Sequence, residues 1–311
     1  MNKDQSSVAV ITGASSGIGR ACAREFARAG YRLGLIARSH TGLERAADEA
    51  RELGSEALTV QGDVADPEVV ERLAAETEAE LGPIALWVNN AMVTVLAPVI
   101  EIPPEEFRRV TEVNYLGAVH GTLAALRRMR PRDEGTIIQV GSALAYRSIP
   151  LQSAYCASKA AMRAFTDSLR CELLHDRSGV RLTMVQLPAV NTPQFEVMRN
   201  RMPRRPRPVA PVFTPELVAQ AILHAAEDAP RELVVTGSAL KAILGQRIVP
   251  GFVDRYLAKV GYSSQQRPEA EPRARPDNLF QALEWDRGAE GPFTNEGRSR
   301  SLQLWLREHF G

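Results

Sequence analysis

Seven short apolar runs punctuate the chain: Val8–Thr12, Arg32–Ala37, Ala57–Gln61, Ile84–Val88, Thr136–Val140, Val180–Leu187 and Leu233–Val235. Between them lie segments of helical pattern: Arg20–Ala29, Leu43–Leu53, one opened by Asp66-Pro67 and broken at Gly82-Pro83, Pro104–Arg128, the Ala-rich stretch around Tyr155, and one opened by Thr214-Pro215-Glu216. Caps and an N-terminal proline mark two of these helix starts, and Gly30 stops the first helix. Parallel strands need a crossover, and a helix is the usual one. The alternation therefore predicts an α/β, three-layer, doubly wound parallel sheet of about seven strands.

The first strand runs into Gly13-Ala-Ser-Ser-Gly17-Ile-Gly19 and then a helix. Glycines in such a turn let the backbone bend tightly and approach a pyrophosphate at the positive end of the helix. The strand before and the helix after give the glycines this meaning. Further on, where an acid would bind a ribose 2′-hydroxyl and an arginine would suit a 2′-phosphate, the second strand ends Leu35-Ile-Ala37-Arg38-Ser39. Ala37 occupies the acid's place, and the planar guanidinium of Arg38 suits bidentate phosphate contact. Ser15, Ser16 and Ser39 add hydroxyls, and Arg20 is read as solvent-facing. The expected cofactor is NADP(H) in preference to NAD(H).

A second constellation follows the strand Thr136–Val140. It places Ser142 at the strand end, Tyr155 thirteen residues on, and Lys159 four residues after that. The i, i+4 spacing puts phenol and ammonium on one helical face. An unperturbed phenol titrates near pH ~10, and a fixed cation nearby would lower that value toward working pH. A serine hydroxyl aimed at the same point could hold a substrate carbonyl.

Composition removes several alternatives. Lys+Arg 38 against Asp+Glu 37 leaves a net charge of +1, which argues against nucleic acid or an anionic membrane as main partner. Cys22, Cys156 and Cys171 form no C-x-x-C, so neither a metal site nor a disulfide framework is expected. The polar start MNKDQSS and the lack of a ~20-residue apolar run give a cytoplasmic expectation.

Taken in order, the glycine turn, Ser142 and Tyr155-x-x-x-Lys159 resemble the classical short-chain dehydrogenase/reductase family over about residues 7–237. The resemblance implies a Rossmann-type fold and a set of roles. Gly13, Ser15, Ser16, Gly17, Ile18 and Gly19 would form the cofactor loop, and Asp63 and Val64 would contact the adenine. Asn90 and Ala91 match the family's Asn-Asn-Ala-Gly, while Pro188, Val190 and Thr192 match the segment covering the nicotinamide. Tyr155 would be the general acid or base. Lys159 would lower its pKa and hold the ribose, Ser142 would orient the carbonyl, and Asn114 would link Lys159 to solvent through a water. Met92 and Ala189 stand where the family has glycine, which implies strain or a reshaped pocket if those positions need positive φ. The expected activity is NADP(H)-dependent interconversion of a ketone or aldehyde and an alcohol, on a fairly large apolar substrate. The alternative is a catalytically silent cofactor-binding sensor or scaffold. By analogy with the family, a homodimer or homotetramer is expected.

Three parts are expected: a catalytic and cofactor-binding domain over 1–238, a helical lid or packing segment over 239–262, and a linker with a tail over 263–311. The Pro- and Arg-rich stretch Arg199–Pro211 reads as a solvated loop or a flap over the substrate. Residues 263–276 have linker composition. Leu302, Trp305 and Leu306 lie at helical spacing and are expected to dock as an apolar stripe.

Overall fold

The structure is a computed structural model that describes residues 7–272 and 274–305. Seven parallel strands form its central sheet: β1 (Val8–Thr12), β2 (Arg32–Ala37), β3 (Ala57–Gln61), β4 (Ile84–Asn89), β5 (Thr136–Val140), β6 (Arg181–Gln186) and β7 (Glu232–Val234), in the spatial order β7-β6-β5-β4-β1-β2-β3. This is the expected doubly wound arrangement. The order reverses between β1 and β4, where a crevice opens at the carboxyl ends of the strands.

Both faces of the sheet are covered, so its strands are buried on both sides and largely apolar rather than alternating. Side chains of β1 divide by parity. Ala9 and Ile11 join Phe26, Leu33 and Ile222 on one face, while Val8 and Val10 join Leu73, Trp87 and Ala125 on the other. The first face is built with α1 (Gly17–Arg28), α2 (His40–Glu52) and α7 (Pro215–Asp228). The second is built with α3 (Pro67–Leu81), α4 (Pro104–Thr111), α5 (Gly117–Met129) and α6 (Ser153–His175). Asp66 caps α3 through the Glu68 amide at 2.9 Å, and Thr214 caps α7, each with proline following.

The helix expected over Pro104–Arg128 is interrupted by one π-helical turn at Glu112–Leu116. Such wide turns gather at functional sites, and this one carries Asn114. After β7 come α8 (Gly237–Ile248) and α9 (Pro250–Val260), a helical hairpin divided at Pro250. No helix among the described residues is long and apolar enough to cross a membrane.

Two stretches that read as irregular are folded. Residues 263–276, expected to be a linker, contain a strand, Gln266–Ala270, paired antiparallel with Arg204–Pro206 of the Arg-rich stretch. Composition misled here because that strand's partner lies some sixty residues away. The arginines of the stretch are ion-paired: Arg199 and Arg201 both reach Glu106, which is only 2% exposed, and Arg199 also binds Asp277 at 2.9 Å. The apolar stripe expected at the end does not dock as read. Leu304 is buried, Leu302 and Trp305 are exposed, and Leu306 lies outside the described residues.

Candidate active site

The crevice forms a cavity of about 850 Å³. It is lined by Gly13, Ser15, Ser16, Gly17, Ile18, Arg38, Asp63, Val64, Asn90 and Ala91 at one end, and by Ser142, Tyr155, Lys159, Pro188, Val190 and Thr192 at the other. Positions spread over 180 residues of sequence thus share one wall system. Gly19 and Asn114 do not line it.

Strand ends fix the floor. The Thr12 hydroxyl accepts from the Asn90 and Ala91 amides at 2.9 and 3.1 Å, and the Asn90 side chain donates back to the Thr12 carbonyl at 2.9 Å. These bonds tie the end of β1 to the end of β4. The glycine turn is shaped by this packing. Gly13 has φ +69°, and a Cβ there would lie 2.8 Å from the Ala91 Cα. A Cβ on Gly19 would fall 2.2 Å from the Gly13 carbonyl oxygen. Gly19 is therefore required by contact between helix and loop, and not by anything in the cleft.

At the far end, the Ser142 hydroxyl caps a short turn by accepting from the Leu144 amide at 3.1 Å, and it hydrogen-bonds to the Tyr155 phenol. Lys159 donates to the Val140 carbonyl at 2.7 Å, and its Nζ lies 5.9 Å from the Tyr155 ring centre. Phenol and ammonium share a helical face as expected. Burial dominates both groups, because each charged form loses its hydration. It pushes the Tyr155 phenol up to about 12, against a smaller lowering from Ser142, and it pulls the Lys159 ammonium down to about 8. The Lys159 ammonium is thus anchored to a strand carbonyl while it stays over the Tyr155 ring.

Asn114 is 1% exposed. Its carbonyl accepts from the Val93 amide at 2.8 Å, and its amide donates to the Val93 carbonyl at 2.9 Å and to the Ser158 hydroxyl at 3.1 Å. It clamps the extension of β4 to the helix turn that carries Lys159. Met92 and Ala189 line the cavity, but neither has positive φ. Ala189 is extended and paired with Val212. The strain that glycine replacement implied does not arise.

Three cations gather at the cleft's other end. Arg38 donates to the Asn278 and Leu279 carbonyls, and its neighbours include Asp63, Arg109 and Arg287. Arg109 is ion-paired to Asp63 and donates to the Leu279 carbonyl at 2.9 Å. Arg20, read as solvent-facing, is 1% exposed and binds Glu49 at 2.8 Å and Asp286 at 2.7 Å. Helical periodicity could not place it, because one partner comes from α2 and the other from the C-terminal segment.

That segment supplies what sequence reasoning missed. Leu279, Leu283, Ala289 and Phe293 are buried, so residues 278–293 lie as a strap across the crevice. The Gly288 carbonyl accepts from the Gly17 amide at 3.0 Å, at the start of α1. Glu284 accepts from the Ser39 hydroxyl and the Thr41 amide, both at 3.3 Å, at the start of α2. Only the small apolar residues among hydrophilic ones hinted at this docking.

The short chain dehydrogenase family model matches residues 7–202, well over half of the chain. The chain belongs to the short-chain dehydrogenase family. Members are oxidoreductases that bind a nicotinamide cofactor. The uncharacterized oxidoreductase YxnA of Bacillus subtilis is 34% identical over 309 residues, covering 98% of this chain and 85% of that protein. Its likeness therefore extends through the strap. The dehydrogenase/reductase SDR family member 7B of Bos taurus is 36% identical over 194 residues, 60% of this chain and 59% of that protein. Among solved structures, the alcohol dehydrogenase of the archaeon Thermococcus sibiricus, complexed with 5-hydroxy-NADP, aligns with TM-score 0.64 and 31% identity, covering 73% of this chain and 95% of its own. A short-chain dehydrogenase from Streptomyces avermitilis aligns with TM-score 0.68 and 28% identity, covering 83% and 98%.

Proposed function

We propose that this family member is an NADP(H)-dependent oxidoreductase that interconverts a ketone or aldehyde and an alcohol, on a fairly large apolar substrate. The observation that carries the reading is the shared cleft. Ser142, Tyr155 and Lys159 converge at one end of it, and Arg38 and Arg287, which form no ion pair among the described residues, lie at the other. Arg38 spends its hydrogen bonds on neutral carbonyls, and the buried Nε of Arg287 has no partner among the described residues. A desolvated cation that forms no ion pair favours an anionic ligand. The residues present thus fit a dinucleotide that carries an extra phosphate. Gly13, Ser15, Ser16, Gly17, Ile18, Arg38, Asp63, Val64, Asn90, Ala91, Pro188, Val190 and Thr192 would hold it, with Tyr155 and Lys159 at its reacting end.

The nicotinamide, when bound, donates or accepts the hydride. The protein's residues handle position and the proton. Ser142 donates a hydrogen bond to the substrate oxygen, and Tyr155, neutral at pH 7 as any phenol is and held more firmly so by burial, gives that oxygen a proton during reduction. In the reverse direction the phenolate must accept one, so oxidation gains as pH rises. Lys159, held by the Val140 carbonyl, stands one helical turn away, and Asn114 fixes that turn. The apolar substrate class is supported by Ala242, Val253 and Leu257 of the α8–α9 hairpin and by Val209 and Pro211 of the Arg-rich flap, all of which line the cavity.

Turnover of a panel of ketones and aldehydes with NADPH, abolished by Tyr155→Phe while NADPH binding persists, is the expected result. Turnover undiminished in that variant, or no turnover of any carbonyl, removes the catalytic assignment. Binding isotherms for NADPH and NADH address the cofactor separately. Selective NADPH binding that Arg38→Ala weakens is expected, and equal affinity for the two cofactors rules the preference out.

A further inference from the structure

The segment from Asn278 to Phe293 is pinned at both ends. Leu279 joins the core beneath α3 and α4, and Ala289 joins the core beneath α1 and α2. The Phe293 amide is held by the Asn191 side chain at 2.9 Å. Between these anchors the chain must cross the mouth of the crevice. Two of its contacts there fall on places where a helix begins: Gly288 on the Gly17 amide of α1, and Glu284 on Ser39 and Thr41 of α2.

The charges along this crossing are unequally matched. Asp286 is taken by Arg20 at 2.7 Å. Glu284 rests on a hydroxyl and a backbone amide, with no ion pair among the described residues. Arg287 faces the same cavity as Arg38, is largely buried, and leaves its Nε unpartnered. Desolvation lowers the pKa of both arginines; the Arg287 charge lowers that of Arg38 further, while Glu284 and Asp286 partly offset the effect on Arg287. Asp63, the acid that faces Arg38, is already paired with Arg109. A carboxylate on donors at the start of α2, beside two guanidiniums that form no ion pair among the described residues, is the arrangement a phosphate oxygen would adopt there.

We infer that the strap is part of the cofactor site: Arg287 acts with Arg38 to bind the 2′-phosphate of the adenosine ribose, and the Glu284 carboxylate occupies the donors that this phosphate takes over. The inference rests on the NADP(H) reading above and assigns its specificity to residues some 250 positions apart.

The test is calorimetric titration of the full chain with adenosine 2′,5′-bisphosphate and with adenosine 5′-monophosphate, which differ only in that phosphate. The wild type is expected to bind the bisphosphate at least tenfold more tightly. Arg38→Ala and Arg287→Ala should each weaken the bisphosphate about tenfold and leave the monophosphate unchanged. Bisphosphate binding lost in Arg38→Ala but intact in Arg287→Ala overturns the role of the strap and leaves the cofactor reading standing. Equal binding of the two ligands by the wild type overturns both. Should Arg287→Ala fail to fold, Glu284→Gln decides. Bisphosphate binding tightened about threefold supports the displacement. Unchanged binding, or weakened binding of the monophosphate, overturns it, the second because the carboxylate would then be holding a ribose hydroxyl.

Discussion

The two ends of the cleft are built differently. The reacting end is local: Ser142 follows its strand by two residues, and Tyr155 and Lys159 share one turn of α6. The other end is assembled from remote pieces, with Arg38 at the end of β2, Arg109 on α4 and Glu284 and Arg287 on the C-terminal strap. A site made of short-range spacing is fixed once its strand and helix form. A site made across 250 residues exists only when the tail docks, and its stability is that of the tail's anchors. Chemistry and cofactor choice should therefore respond separately to mutation.

The sharpest separation is expected from Tyr155→Phe. It should lower kcat for carbonyl reduction by roughly 10²–10⁴-fold, the usual worth of a general acid, and change NADPH affinity less than twofold. A matched loss of binding in the same titration would mean that the two ends are coupled.

Next comes Arg20→Ala, which cuts the strap's tie to α1. Arg20 is fully buried, while Glu49 and Asp286 are partly exposed and Glu49 keeps Arg24 at 2.7 Å. Breaking a wholly buried pair costs 3–5 kcal/mol, so about 2–3 kcal/mol is expected here. The loss should appear as a lower urea midpoint. Weaker binding of adenosine 2′,5′-bisphosphate should accompany it, and kcat at saturating NADPH should not change.

The pH dependence of stability probes the reacting end alone. The folded Lys159 titrates near 8, against 10.5 when free. Between those values the unfolded chain binds a proton that the folded chain has released, so stability from this group rises with pH. Above about 10 the raised Tyr155 reverses the trend, since there the folded state holds the extra proton. Wild type minus Lys159→Met, compared by urea unfolding at pH 7.5 and 9.5, should gain about 1–3 kcal/mol. A flat difference would show that the ammonium is not desolvated.

The smallest effect is expected from Ala189→Gly. The residue is extended and carries no positive φ, so restoring the family's glycine relieves nothing and should cost roughly 0.5–1 kcal/mol from added backbone freedom. A gain in thermal midpoint would contradict this.

Much of this was legible in the chain itself. The order of strands and helices, the caps at Asp66 and Thr214, and the Ser142, Tyr155 and Lys159 set follow from periodicity and spacing, because each depends on neighbours within a few turns. The glycines at 13 and 17 were legible for the same reason. The role of Gly19 was not, since it answers to the Gly13 carbonyl and Asn90 in the folded turn.

Tertiary structure decided the rest. It buried Arg20, gave Asp63 to Arg109, turned a linker-like stretch into a strand and carried the strap to the cofactor's mouth. It also took Tyr155 and Lys159 out of water, which raises the pKa of the phenol and lowers that of the ammonium. Spacing can place two groups on one face, but burial, which sets the energy of their charges, belongs to the whole fold.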